Sequence, residues 1–419
     1  MRALPPSPRS AIPTSAASTT RTEPQAIRRT SPPEQRITVD FAITPETQSL
    51  LDTAAAFEER LISEARDREN AGKIGTDLTL EMGSAGLIAP ELSPHLGGQG
   101  QTKVTAGLVT EAIARGDLNV AYLQVVGSLM GQVIARNASA EVAEHYCRLI
   151  TSGAETVAIG LSEPDAGSDA GNPQSTAKRD GGDWIINGTK SMSLALTSTA
   201  TVIFARTDPN AKRGKGISAF LVDLDTPGVV RTPITDMGQS AVARGSVDFT
   251  DVRVPGDHLL GAEGAAFSQV MQGFDFSRAL IGLQCTGSAT RAIEDAWDYV
   301  KGREAFDQPL SKFQGVSFPL AEAETKMTAA RLLCLNTLWL GDEGLPHTSQ
   351  AAMCKWWAPL ESYHAIHQCL LLHGQNGYKQ DRDVEKRLRD VLGMQIGDGT
   401  AQIMKLVIAR ESAGRAFAP

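Results

Sequence analysis

One carboxylate in this chain lies in a setting that suits proton transfer. Asp398 stands between Gly397 and Gly399, just before an apolar pattern that predicts a helix from Thr400. Glycines let a substrate approach the backbone closely, and burial would raise the carboxylate pKa toward the working pH of a general base. The simpler interpretation is an acid that complements the dipole at a helix start. The residues alone favour the two interpretations about equally.

Two other stretches carry polar groups that suit ligand binding. The loop LSEPDAGSD, residues 161–169, follows a predicted strand and offers backbone N–H groups to a ligand, although its composition alone favours an ordinary turn. Asp275 and Arg278 interrupt an apolar helical run with a charge pair at a spacing of three. That pair is either a solvated ion pair on the helix surface or a site that places Arg278 near an anionic group.

No metal site is expected. His364, His367 and His373 lie on or near one predicted helix, but no acid or thiolate completes a convincing ligand set. The chain also has no GxxxxGKS/T phosphate loop, no HExxH and no GxSxG. Any chemistry must therefore come from other groups.

Composition limits the class of protein. The chain has 419 residues, enough for two or three domains, and its formal net charge of -8 argues against a nucleic-acid partner. Five cysteines without a CxxC pair favour a reduced compartment, so we expect a cytoplasmic protein. No apolar run approaches 18 residues, so no membrane segment is expected.

The predicted elements change character twice along the chain. Helical patterns run from Thr44, short β-prone runs separated by turns follow from about Thr151, and long helical patterns return after Gly264. This order predicts an α+β protein with segregated domains. The predicted boundaries are a disordered tail at 1–40, a helical domain at 41–154, a β domain at 155–262 and a helical domain at 263–419.

The start of the chain differs from the rest. Residues 1–37 are rich in Pro, Ser, Thr, Ala and Arg, and only Glu23 and Glu34 are acidic. A transit peptide has such a composition. A disordered tail is the favoured interpretation, because the prolines interrupt any amphipathic helix and the segment has little apolar surface to bury.

Several segments together resemble the flavin-dependent acyl-CoA dehydrogenase family. They are LSEPDAGSD, DFTDVRVP with LLGAEGAAF, GREAFDQPLSKFQ, and LRDVLGMQIGDGTAQIMKLVIARE. The resemblance covers about Phe41 to Phe417, in order and with matching spacing. It implies an N-terminal helical domain, a middle β domain and a C-terminal four-helix bundle, assembled as a homotetramer. The implied partners are an acyl-CoA substrate and an electron-transfer flavoprotein.

The resemblance also implies roles for individual residues. Asp398 matches the base, which removes the α-proton while the β-hydrogen leaves as hydride to FAD. The thioester oxygen would bind the backbone N–H of the base and a ribityl hydroxyl of the flavin. The implied substrate contacts are Ser168, Asp275, Arg278 and Gly397. The implied FAD contacts are Leu161, Ser162, Ser193, Arg303, Phe306, Gly399, Thr400 and Gln402.

The chain departs from the family pattern at several places. The usual glutamate base is Asp398, and the usual aromatic before it is Gly397. A second branch of the family keeps its base just before the arginine of the DFSR stretch, where this chain has Ser277, so Asp398 has no rival. Expected FAD contacts are lost at five further positions, which are Met192, Leu194, Asp307, Leu371 and Gln375.

The aspartate base with GDGTAQIMK and GFDFSRALIGLQ resembles the branch that acts on alicyclic acyl-CoA esters. A shorter base and a missing aromatic make room for a ring at the α-carbon. We therefore expect cyclohexanecarboxyl-CoA to be converted to cyclohex-1-ene-1-carboxyl-CoA. The alternatives are another short or branched acyl-CoA, a nitroalkane-oxidase-like flavoprotein, and a family member that acts only as a scaffold.

Overall fold

The computed structural model describes residues 41–267, 273–414 and 416–418. Within these ranges helices come first, strands follow and helices return, so the predicted order and α+β class are confirmed. The disordered tail predicted at 1–40 lies outside the described residues. The exact domain boundaries at 154/155 and 262/263 stay a prediction.

The N-terminal part is helical. The helical stretch that begins at Thr44 is interrupted at Ala56–Phe57 and at Glu64, where no glycine or proline signals a break. Hydroxyl and carboxylate side chains cap several of the helices, as Thr102 does for Thr105 N–H. The helices are α1 (Pro45–Ala55), α2 (Glu58–Ser63), α3 (Ala65–Ala71), α4 (Thr76–Ser84), α5 (Lys103–Gly116), α6 (Leu118–Asn137) and α7 (Ala140–Thr151).

Among the described helices, α6 is the one long and apolar enough to be compared with a membrane span. Leu118–Asn137 is long and apolar enough to cross a membrane by length and composition, although no uninterrupted apolar run signals it. Protein atoms bury 83% of its most apolar window. A helix that is apolar all round and enclosed by its neighbours is a core helix of the fold.

The β domain follows. Its eight strands form one sheet in the order β6-β7-β3-β2-β4-β5-β8, and β1 pairs in parallel with β4. Strands β4 and β5 are buried along almost their whole length, which explains their unbroken apolar runs. The strands are β1 (Val157–Gly160), β2 (Thr176–Asp180), β3 (Asp183–Met192), β4 (Ala200–Arg206), β5 (Ile217–Asp223), β6 (Val229–Pro233), β7 (Gly245–Val254) and β8 (Leu259–Leu260).

The C-terminal part is a bundle of long helices. Its core also includes Ala106, Leu118 and Val125 of α5 and α6, so the N-terminal helices pack directly on the bundle. Gly107 allows this contact, because a Cβ there would meet Leu338 Cδ1 at 2.3 Å. The helices are α8 (Gly273–Gly302), α9 (Gln314–Asp342), α10 (Thr348–Leu372), α11 (Asp383–Gly393) and α12 (Ala401–Ala413), with a short hairpin of β9 (Glu304–Ala305) and β10 (Gln308–Pro309) between α8 and α9.

Candidate active site

Asp398 lies in the loop 394–399, which joins α11 to α12. Its φ of 53° is left-handed, a conformation that aspartate tolerates better than most side chains but that still costs free energy. Gly399 follows with a φ of 104°, and a Cβ there would meet Met404 Cε at 2.5 Å. The loop itself therefore requires the backbone freedom that the sequence indicated around Asp398.

Thr400, and not Asp398, caps helix α12. Its Oγ1 accepts a hydrogen bond from the N–H of Ile403 at 3.5 Å. In the described part of the chain, no residue forms a hydrogen bond with the Asp398 carboxyl group or with the Asp398 backbone N–H. Asp398 therefore does not cap α12 through a hydrogen bond, and no described residue competes for its carboxylate.

The surroundings of Asp398 change its acidity. The residue is half-buried, and its burial raises the pKa of the carboxyl group above the ordinary aspartate value. The positive charges of Lys355 and Arg278 oppose the rise. A carboxylate whose pKa is raised by burial holds a proton more strongly, as a general base requires.

Lys355 is a buried neighbour of Asp398 that the sequence analysis missed. It lies on α10 and has no exposed surface. Its Nζ donates to the carbonyl of Met394 at 2.7 Å and to that of Gly399 at 3.2 Å. Burial lowers its pKa to about 8, and the negative charge of Asp398 limits the shift. The only signal in the sequence was one lysine within the otherwise apolar run AAMCKWWA.

The charge pair on α8 forms, but it is not a solvated surface pair. Arg278 Nη1 lies 2.9 Å from Asp275 Oδ1, and both side chains are only 9% exposed. Thr348 Oγ1 donates to the other oxygen of Asp275 at 2.5 Å. No described residue accepts a hydrogen bond from the buried Arg278 Nε, so this N–H is available to a ligand. At the rival base position, Ser277 donates to Phe274 O within its own helix.

Tyr122 of helix α6 also belongs to the site and was missed from the sequence. Its hydroxyl lies close to Ser193, which follows β3, and close enough to Asp398 for that charge to act on it. Burial first, and then the negative charge of Asp398, raise the pKa of Tyr122. Tyr122 therefore remains a neutral phenol, and it marks the place where all three parts of the fold meet.

The loop at 161–169 is held from inside the β domain by Glu163. Its Oε1 lies 2.7 Å from Lys190 Nζ and accepts from the backbone N–H of Ser175 at 3.0 Å, while its Oε2 accepts from the backbone N–H of Gln174 at 2.6 Å. The neighbouring expected contact Ser162 is exposed, as is Ser168. One buried carboxylate thus fixes a loop whose outer side chains remain free.

Asp390 holds helix α11 through a second set of buried polar contacts. Its Oδ1 accepts from the backbone N–H of Gln239 at 2.5 Å, and its Oδ2 lies 2.7 Å from Lys386 Nζ. Asn119 of α6 donates to the same Oδ2 at 3.2 Å. The segment that carries Asp398 is therefore joined to the N-terminal helices and to the β domain through buried polar groups.

The five positions that depart from the family's FAD-contact pattern fall into two groups. Met192 and Leu194 are buried, and the sulfur of Met192 accepts from Thr201 Oγ1 at 3.3 Å. Asp307, Leu371 and Gln375 are exposed. Met192 and Leu194 therefore pack inside the protein, whereas Asp307, Leu371 and Gln375 lie on the surface of the C-terminal domain.

The expected cross-subunit contacts Arg303 and Phe306 lie at the β9–β10 hairpin. Phe306 and Asp307 form its two-residue turn, and both have positive φ, 53° and 62°. Neither is glycine, so the turn is strained. Phe306 is 88% exposed, and Arg303 is exposed as well. An aromatic ring held outward by a strained turn is suited to contact with another chain.

The residues expected to hold FAD fit such a group. Ser193 of the β domain and Asp398 of the C-terminal domain both lie beside Tyr122, so expected contacts from the two domains meet in one place. Ser162 and Gln402 are exposed and keep a hydroxyl and an amide for a ligand. Their assignment as FAD contacts, with Leu161, Gly399 and Thr400, stays a prediction.

The histidines have other partners. His373 Nδ1 pairs with Cys369 O at 2.7 Å, and its ring stacks on Tyr299 with centroids 4.5 Å apart. His367 stacks on Tyr363 at 6.2 Å. Within the described ranges, no group of three or more His, Cys, Asp or Glu side chains is placed to hold a metal ion.

Comparison with known families accounts for almost the whole described chain. Residues 44–154 match the model for the acyl-CoA dehydrogenase N-terminal domain, residues 158–252 match the middle domain, and residues 264–413 match the C-terminal domain. The three matches follow one another without overlap, in the order of the helices and strands.

Individual relatives agree with this. The human mitochondrial short-chain specific acyl-CoA dehydrogenase is 35% identical over 370 residues, which cover 87% of this chain and 90% of that protein. Butyryl-CoA dehydrogenase from Megasphaera elsdenii superimposes with a TM-score of 0.86 at 29% identity, covering 90% of this chain and 100% of that one. A glutaryl-CoA dehydrogenase from Mycobacterium smegmatis in complex with FADH2 gives 0.83 at 25% identity, covering 89% and 96%.

Proposed function

The chain belongs to the acyl-CoA dehydrogenase family, and we propose that it acts on an acyl-CoA whose α-carbon is branched or part of a ring. It is an FAD-dependent oxidoreductase that dehydrogenates acyl-CoA thioesters. The proposed substrate is cyclohexanecarboxyl-CoA, and the proposed product is cyclohex-1-ene-1-carboxyl-CoA. Both hydrogens leave the ring, one as a proton from the α-carbon and one as a hydride from the β-carbon.

Asp398 is the proposed base for the α-proton. Its carboxyl group has a raised pKa and forms no hydrogen bond within the described residues, so it is available to accept a proton. FAD, when bound, supplies the acceptor for the hydride. The free backbone N–H of Asp398 is a suitable donor to the thioester oxygen, which gains negative charge as the proton leaves.

The open space at Gly397 is the observation that carries the substrate proposal. Apart from its two neighbours in the chain, no described atom lies nearer to a Cβ placed on Gly397 than Gly393 O, at 4.0 Å. The family's usual aromatic would stand at this position, directly before the base. Its absence, together with a base one methylene shorter, supports space for a substituent at the α-carbon.

Arg278, Asp275 and Ser168 are the proposed contacts on the thioester and CoA side. Arg278 lies near Asp398, and its buried Nε has no partner among the described residues. Asp275 accepts a hydrogen bond from Arg278 through one oxygen and from Thr348 through the other. These two bonds fix the orientation of the guanidinium. A fixed guanidinium with an unused N–H suits an oxygen acceptor on the substrate.

A homotetramer is the proposed assembly, and Phe306 and Arg303 are its proposed contacts with FAD of a neighbouring subunit. Their exposure on a strained turn supports the proposal. An electron-transfer flavoprotein is the proposed electron acceptor, and the cytoplasm is the proposed location. The assembly and the electron acceptor rest on the family resemblance, and the location rests on the five cysteines without a CxxC pair.

The test is reduction of the bound flavin without oxygen. Purified wild-type holoenzyme is mixed with cyclohexanecarboxyl-CoA, a small branched acyl-CoA, butyryl-CoA or octanoyl-CoA, and the bleaching rate is recorded for each. The proposal expects the ring substrate to react with the highest kcat/KM. Preference for octanoyl-CoA would contradict it, and bleaching by a nitroalkane but by no thioester would favour the nitroalkane-oxidase alternative.

A straight short-chain acyl-CoA is the second candidate substrate. The relatives named short-chain and butyryl-CoA dehydrogenase favour it. The same panel separates the two candidates, because highest kcat/KM with butyryl-CoA would select this one.

A further inference from the structure

We propose that Lys355 is a positioning residue for the base: its ammonium binds the carbonyls at both ends of the 394–399 loop and so fixes the direction of the Asp398 carboxylate. The inference rests on the proposed role of Asp398 as base. It gives a function to a buried charge on α10 that the dehydrogenation chemistry does not otherwise use.

The geometry of Lys355 is that of a clamp. Met394 opens the loop and Gly399 ends it, and Lys355 Nζ donates to the carbonyls of both, at 2.7 and 3.2 Å. An ammonium has three N–H donors, so these two contacts leave one for the interior of the loop. Lys355 forms no salt bridge with any described carboxylate, so its partners are the loop carbonyls and the nearby charge of Asp398.

A purely structural role is the competing interpretation. Met394 is the C-cap of α11, and a cation near the last carbonyls of a helix is stabilising on its own. Burying a lysine completely is nevertheless expensive unless its charge is used. The second bond, to the residue immediately after Asp398, is not explained by capping α11.

The backbone conformation of Asp398 is a reason for the loop to be held at both ends. A left-handed φ of 53° persists only where the surroundings enforce it. Lys355 binds from α10, while Asp390 holds α11 through Gln239. With both carbonyls held, the loop has little freedom to relax into a conformation that turns the carboxylate away from the substrate.

Lys355 also places a positive charge beside the base. The groups that face it are Asp398, Arg278 and the thiol of Cys285. Asp398 in turn faces Lys355, Arg278 and the neutral phenol of Tyr122. Since Arg278 is already paired with Asp275, removal of Lys355 should leave Asp398 with weaker compensation for its burial, and its pKa should rise further.

The test compares Lys355→Met with Lys405→Met. Lys405 is an exposed lysine on α12 whose Nζ lies 4.5 Å from the ring centroid of Trp356, next to Lys355 in sequence. Its removal takes away one ammonium from the same region without touching the loop carbonyls. Each variant is measured as holoenzyme for flavin content, melting temperature, the pH profile of kcat/KM, and hydrogen exchange of the amides at 394–400.

We expect Lys355→Met to lower kcat about 10-fold or more, as a misplaced base does, and to move the acid limb of kcat/KM upward by about one pH unit. Amide exchange at 394–400 should become faster, and Lys405→Met should leave all of these unchanged. A Lys355→Met holoenzyme with a lower melting temperature but a wild-type acid limb and kcat would overturn the proposal and leave only a capping role.

Two further variants separate the remaining outcomes. If Lys355→Met loses its flavin, Lys355→Gln is measured in its place. Its amide keeps donors for the loop carbonyls but lacks the positive charge. An unmoved acid limb of kcat/KM in Lys355→Gln would overturn the proposal. Asp398→Asn tests the premise. If Asp398→Asn is inactive while both Lys355 variants behave as wild type, only the Lys355 proposal fails; if Asp398→Asn turns over normally, the proposed base itself fails.

Discussion

Glu163 and Lys190 form an ion pair inside the β domain, with 2.7 Å between Oε1 and Nζ and side-chain exposures of 3% and 0%. The pair joins the loop at 161–169 to strand β3, which leads to Ser193 at the candidate site. Burial alone would raise the pKa of Glu163, but Lys190 and the donors at Ser175 and Gln174 outweigh it and hold the pKa below its ordinary value. The loop therefore depends on one charged carboxylate.

Glu163→Gln should destabilise the protein strongly, because it leaves the Lys190 ammonium buried without a counter-charge. Breaking a buried pair from one side typically costs about 3–5 kcal/mol in the free energy of unfolding. Chemical denaturation of the purified protein measures this cost. The matched control is Glu263→Gln, which removes an exposed partner of Arg179 and should cost at most about 1 kcal/mol. Equal effects of the two substitutions would contradict the role assigned to Glu163.

The same pair predicts a dependence on pH. A carboxylate whose folded pKa is lowered contributes stability above its unfolded pKa, for which 4.5 is the ordinary value, and this stability is lost as pH falls through the lowered folded pKa. The difference in unfolding free energy between wild type and Glu163→Gln should therefore be full at pH 7 and shrink on acidification below about 4.5. A constant difference across that window would show that charge is not the cause.

Asp398→Asn should abolish most of the activity without loss of the cofactor. The amide keeps the size of the side chain but cannot accept the α-proton, so the rate should fall at least about 10²-fold. Flavin absorbance and thioester binding serve as controls and should match wild type. Because the pKa of Asp398 is raised, wild-type kcat/KM should fall as pH drops through a midpoint above 3.8. Near-normal turnover by the variant would reject Asp398 as the base.

Gly397→Tyr should select against ring substrates. A Cβ at Gly397 has no neighbour nearer than 4.0 Å, so the backbone accepts a side chain and the ring of tyrosine would take the space beside the base. The loss in kcat/KM for cyclohexanecarboxyl-CoA should exceed that for butyryl-CoA and octanoyl-CoA by about 10- to 200-fold, the range for one steric clash. Competition of the three thioesters measures this. Equal losses for all three would leave only the family-level function.

Phe306→Ala should weaken the oligomer and its hold on FAD. Its ring is 88% exposed on a strained turn, so its removal should cost assembly contacts and little internal packing. Analytical ultracentrifugation and flavin content measure the two effects, which should move together. Val230→Ala, which trims a side chain 59% exposed on the β domain, is the control and should change neither. A stable monomer that keeps stoichiometric FAD would contradict the proposed cross-subunit contact.

Local sequence patterns determined most of the individual elements. The runs at 103–116 and 140–151 were predicted as helices and form helices at those residues, because their apolar periodicity agrees with their packing and a Thr or Ser caps each start. The long apolar runs of β4 and β5 likewise gave buried strands. The breaks at Ala56–Phe57 and Glu64 carry no local signal. Packing alone decides where the helical stretch that begins at Thr44 is interrupted.

The sequence also determined the identity of the base candidate, because GDGTAQIMK carries both the acid and the backbone freedom that it needs. What only the tertiary structure decided is what surrounds that acid. Lys355, Arg278 and Tyr122 come from three different helices, 43 to 276 residues away in the chain, and no local sequence pattern places them beside Asp398. A charge buried against a distant loop looks the same in sequence as a solvated one. Only the fold fixes which charges share a low-dielectric interior, and this sets the acidity and direction of Asp398.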